Sequence, residues 1–126
     1  MIDSEVRATI AAIALAHAGD RVINGLYDHS LNRQAKVTAV FEGETLNGLD
    51  LDRRAKLSGQ MPDIYDHGRA SYIHLAAEGN KYTVYDHKTA THLYVVITDD
   101  TAAVYDHYTA AWTQFSLKPI EEIVRF

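Results

Sequence analysis

The sequence predicts a mainly β fold of the α+β kind: an N-terminal helix packed on a wide antiparallel β-meander of about 8–10 strands, built from hairpin repeats about 20 residues long. Three observations predict it. Ile64-Tyr65-Asp66-His67, Val84-Tyr85-Asp86-His87 and Val104-Tyr105-Asp106-His107 recur at an interval of 20 residues, and Leu26-Tyr27-Asp28-His29 is an earlier copy. Short runs of alternating apolar and polar residues flank each copy, separated by small or polar turns. Ahead of all of them, apolar residues recur at helical spacing.

The helix comes first. Asp3 or Ser4 can cap it, Glu5 sits favourably in its first turn, and Ile2, Val6, Ile10, Ile13 and His17 recur at spacings of four and three. Ala8, Ala11, Ala12 and Leu15 form a second apolar arc beside that stripe, and Gly19 is a reasonable stop. A helix apolar over so wide a face reads as a core helix lying on a sheet. Its polar face lacks the lysine or arginine series of a membrane-surface helix.

A fifth copy of the repeat is degenerate. Leu49-Asp50-Leu51 keeps the aspartate and places leucines where the tyrosine and histidine stand elsewhere. Within the fourth copy, turning at Lys88-Thr89-Ala90-Thr91 pairs His87 with His92, Tyr85 with Tyr94 and Val84 with Val95. Between copies, Gly79-Asn80 forms a two-residue turn of the primed type, which sets Glu78 opposite Lys81, Leu75 opposite Val84 and His74 opposite Tyr85. Asp99-Asp100 repeats that arrangement.

These pairings predict a core row of Ile64, Leu75, Val84, Val95, Val104 and Phe115 on one face of the sheet. Ile73 and Leu93 extend it at one end, and Ala77, Ile97 and Leu117 at the other. The opposite face carries Tyr65, His74, Tyr85, Tyr94 and Tyr105, flanked by His67, Tyr72, His87, His92, His107 and Trp112. Because the pairings step straight across with little shear, an open twisted sheet is favoured over a closed barrel. The helix is the natural cover for the aliphatic row, which leaves the aromatic face without a partner inside the chain.

One domain over residues 1–126 is expected, since 126 residues with 47% apolar content suffice for one core. It divides into the helix at 1–19, two degenerate hairpin repeats at 20–62, three regular ones at 63–118, and a C-terminal tail at 119–126. No cysteine is present, so disulfides and thiolate metal sites are excluded. The first residues lack the basic region of a secretory signal, and the apolar run 8–16 is too short to span a bilayer; a soluble, cytoplasmic protein without membrane association is expected. A net charge of −5 without a basic cluster argues against nucleic acid. Protonating all seven histidines would move that charge to +2, so behaviour is expected to depend on pH.

Asp-His pairs invite a metal reading, but consecutive residues in a strand point to opposite faces, so one copy cannot offer both groups to one ion. Only the two-histidine combination of His87 and His92 survives as a weak metal candidate, and no cofactor is expected. The repeated aspartates, Asp28, Asp50, Asp66, Asp86 and Asp106, read as turn-stabilising acceptors for backbone amides. No serine sits in a Gly-x-Ser-x-Gly elbow and no phosphate-binding glycine loop is present, so no catalytic residue is assigned and an enzyme is not expected.

The run from about Val22 to Leu117, with its Tyr-Asp-His copies and the lead-in Leu57-Ser58-Gly59-Gln60-Met61-Pro62-Asp63-Ile64-Tyr65-Asp66, resembles a group of uncharacterised bacterial and phage proteins built from Tyr-Asp-Tyr repeats. The resemblance implies the hairpin-repeat architecture and no activity. Where that pattern has its second tyrosine, this chain has His29, His67, His87 and His107, so the slot reads as a place for a ring. The leading expectation is a non-enzymatic interaction module that uses the aromatic face to form a homodimer or hold a protein partner. Binding of carbohydrate or another small ligand on the same face is the first alternative, and a metal protein or enzyme using the clustered histidines is the second.

Overall fold

The computed structural model describes residues 2–120; the expected tail at 119–126 lies outside the described residues from position 121 onward. One helix, α1 (Ser4–Gly19), precedes ten strands: β1 (Ile23–Asp28), β2 (Arg33–Glu42), β3 (Thr45–Asp50), β4 (Ala55–Gln60), β5 (Asp63–Asp66), β6 (Ser71–Glu78), β7 (Lys81–Asp86), β8 (Thr91–Thr98), β9 (Thr101–Asp106) and β10 (Ala111–Leu117). Every sequence neighbour pairs antiparallel, and β1 also pairs with β10, so the wall closes. The open sheet favoured from the sequence is therefore corrected to a closed barrel of ten strands.

The error lies in the hairpin register. Between β7 and β8, Tyr85 faces His92 and Tyr82 faces Val95, two residues away from the expected pairing of Tyr85 with Tyr94 and Val84 with Val95. The hairpins β5–β6 and β9–β10 are displaced by the same two residues, since Ile64 faces Ile73 and Val104 faces Thr113. The links between repeats keep the expected register, with Glu78 opposite Lys81 and Leu75 opposite Val84. A slip of two leaves every side chain on its own face, yet adds stagger at each repeat. Followed once around the wall, partners return to β10 displaced by about 14 residues. Ten strands at that shear tilt by about 45° and enclose a backbone radius of about 10 Å.

That radius is close to the spacing at which packed layers sit, so the lumen has room for one helix. Instead of covering one face of a sheet, α1 runs through the barrel, and every residue from Ile10 to Ala16 is at 0% exposure. It lies nearest β1, β2, β8 and β9, where Ala35, Ala39 and Ala102 let it approach. Across the lumen, Leu57, Ile64, Ile73, Leu75 and Tyr82 fill the wider gap. The predicted core row is buried throughout, but Ala77 is exposed and Leu117 only partly buried. Polar residues such as Lys36, Thr38, Asn47, Lys56 and Ser58 face outward.

All five Asp-containing hairpins turn through four residues, and each turn ends in a left-handed residue: Asn32, Arg54, Ala70, Ala90 and Ala110, with φ between 51° and 55°. The opposite rim carries two-residue turns, with positive φ at Gly43, Gly79 and Asp99. The β1–β2 ladder shifts register at Gly25 (φ 105°), where a Cβ would collide with the Lys118 carbonyl.

Candidate functional site

The outward-facing rings and the inward-facing aspartates occupy one end of the barrel. In each Tyr-Asp-His copy the tyrosine points out and the aspartate in, as alternation along a strand requires. Tyr65, His67, Tyr72, His74, Tyr85, His87, His92, Tyr94, Tyr105, His107 and Trp112 all stand on the outer wall. Register gathers them into rows. Tyr85 lies between His74 on β6 and His92 on β8, and Tyr105 lies between Tyr94 on β8 and Trp112 on β10.

Within each hairpin the rings meet edge to face, a favoured arrangement for aromatic pairs, or, for Tyr85–His92 and Tyr105–Trp112, tilted by 53° and 54°. Tyr65, Tyr85 and Tyr105 each hold the histidine two residues on at 4.8–4.9 Å between centroids, with planes 88–90° apart. Their cross-strand partners Tyr72, His92 and Trp112 lie at 4.9, 4.7 and 5.1 Å. Tyr72 and Trp112 remain 50% and 53% exposed. His29 shares a 2.8 Å hydrogen bond with Ser116, His67 one with Ser58, and His74 one with Asp63.

The expected His87–His92 cross-strand pair does not form; both histidines instead pack against Tyr85. Among the described residues, no group of three or more His, Asp or Glu side chains is arranged to hold a metal ion.

Inside the wall, the five aspartates are at most 2% exposed. Asp28 accepts from the amides of Ser30 and Leu31, Asp50 from that of Arg53, Asp66 from that of Gly68, and Asp106 from that of Tyr108. Two arginines link neighbouring hairpins. Arg53 donates from Nε to Asp50 at 2.7 Å and reaches Asp66 with Nη2 at 3.0 Å; Arg69 donates from Nε to Asp66 at 3.0 Å and clasps Asp86 with both Nη groups. The helix joins the same network. Thr9 donates to Asp50 at 2.7 Å and Arg7 to Asp106 at 3.2 Å.

Burial favours the neutral acid at Asp66 and Asp86, but the guanidinium bonds outweigh it and hold both carboxyls below their usual range. The sequence reading missed the arginine links. Their signal was positional, since Arg53 and Arg69 both stand three residues after the aspartate of their own copy.

At the other rim, His17 Nδ1 and the Tyr82 hydroxyl are 2.7 Å apart, and His17 Nε2 lies 3.1 Å from Glu44. Burial and the Glu44 charge push the Tyr82 phenol up to about 12. Comparison with family models, with curated proteins and with solved structures finds no match to this chain.

Proposed function

We propose that this protein is a non-enzymatic binding module whose contact surface is the ring-bearing outer wall, and that its first partner is a second copy of itself. One observation carries the proposal: the two rows His74-Tyr85-His92 and Tyr94-Tyr105-Trp112 run across adjacent strands with their rings outward. Such rings combine apolar area with polar tips, the composition enriched at protein interfaces. A closed wall offers no free strand edge, so association goes through side chains, and a self-complementary patch gives a two-fold dimer. Histidines within the patch would carry like charges into the contact on acidification. Light scattering coupled to size-exclusion chromatography, at about pH 7.5 and about pH 5.5, tests this. A dimer that loosens in acid and is lost in Trp112→Ala supports the proposal, and a monomer at both values overturns it.

Small-ligand binding is favoured as a second reading by one feature, an open groove of about 600 Å³ beside Tyr72.

A further inference from the structure

We infer that the groove between the third and fourth repeats, the hairpins of Tyr65 and Tyr85, binds an organic ammonium group. The groove, about 600 Å³, is lined by Asp63, Tyr65, Ala70, Ser71, Tyr72 and His87. Asp63 carries the one carboxyl group among the lining residues, and neither lysine nor arginine lines the groove among the described residues. His74 Nδ1 lies 2.8 Å from Asp63 Oδ1 and fixes the carboxylate, whose side chain is still 57% exposed.

Tyr65 and Tyr72, with centroids 4.9 Å apart and planes inclined by 65°, make a corner of two π surfaces, and His87 adds a third ring from the next hairpin. Aromatic walls with a carboxylate at the edge suit a weakly hydrated alkylammonium, which gains from ring quadrupoles and gives up little hydration. A hard inorganic cation needs several oxygen ligands, and among the described residues no such cluster exists.

The repeats supply internal controls. The position of Asp63 is taken by Thr83 and Ala103 in the next two copies, and that of Tyr72 by His92 and Trp112, so the carboxylate meets a pair of tyrosines only in the third copy. Small side chains at Ala70 and Ser71 open the floor. The inference stands on this groove alone and does not depend on self-association.

An amide-resolved NMR titration of the whole protein tests it, with choline, with a trimethyllysine peptide, and with 3,3-dimethylbutan-1-ol as the neutral isostere of choline. Cation-induced shifts should centre on residues 63–72 and His87. Asp63→Asn and Tyr72→Ala should each weaken binding about tenfold, while the isostere causes no shift. The amide spectrum of each variant reports its fold in the same experiment. A peptide that binds more tightly than choline assigns the ammonium to a partner's side chain, and the reverse order assigns it to a free small molecule. Absence of shifts with either cation up to about 10 mM, equal binding of the isostere, or binding of neutral sugars in preference to cations would overturn the inference.

Discussion

Arg69 Nη1 and Nη2 lie 2.9 and 2.7 Å from the two carboxylate oxygens of Asp86, in the hairpin that follows its own. The same guanidinium keeps its Nε on Asp66, so one side chain holds two repeats together inside the wall. Asp66 and Asp86 are both at 0% exposure, and an uncompensated charge at either is costly. Arg69→Met should therefore destabilise the fold by about 3–5 kcal/mol, measured by urea unfolding. Arg69→Lys should restore only part of the loss, because an ammonium cannot reproduce the two-pronged contact.

Acid should undo the same network. The folded-state carboxyls of Asp66 and Asp86 are depressed, so their contribution is complete above the unfolded value of about 3.9 and is lost as pH falls through the lower folded values. The urea midpoint should drop steeply below about pH 4, with a shallower slope in Arg69→Met. Equal slopes in the two proteins would remove these aspartates as the cause.

Ala12 and Ala14 lie on nearly opposite sides of α1, yet both are at 0% exposure. Asparagine at either position adds volume and an unpartnered amide to a filled lumen, and each change should cost about 3 kcal/mol in chemical denaturation. A helix covering an open sheet would show a different result, with one of the two positions tolerated within about 0.5 kcal/mol.

Ala90 closes its turn at φ 53°, a conformation unfavourable to any residue with a Cβ. Ala90→Gly should raise stability by about 0.5 kcal/mol after the greater unfolded-state entropy of glycine is subtracted. A thermal melt showing a higher midpoint would agree with this, and a lower one would not.

Tyr82 supplies the alkaline counterpart. Its phenol is pushed up to about 12 by burial and by Glu44, so the stability it contributes is complete below the unfolded value of about 10 and is lost as pH rises towards about 12. Absorbance titration should show one tyrosine that ionises last, and Tyr82→Phe should remove that step.

Much of this molecule was legible because alternation along a strand is local. The inward set Ile64, Leu75, Val84, Val95, Val104 and Phe115 and the outward set around Tyr85 and Tyr105 follow from a period of two, which survives the register slip. The helix was legible as a helix for a similar reason, and its second apolar arc of Ala8, Ala11, Ala12 and Leu15 already hinted at burial beyond one face. The links through Arg53 and Arg69 were not legible, because a charged residue in a turn looks solvent-exposed until the neighbouring hairpin brings an aspartate against it.

By itself, then, the sequence determined the repeat, the order of elements and the face that each side chain takes, since these depend on neighbours a few residues apart. Only the tertiary structure decided that the sheet closes and that α1 lies within it. Closure depends on a two-residue stagger added at successive hairpins, which no single hairpin pattern distinguishes from straight pairing, and on β1 meeting β10 across almost the whole chain.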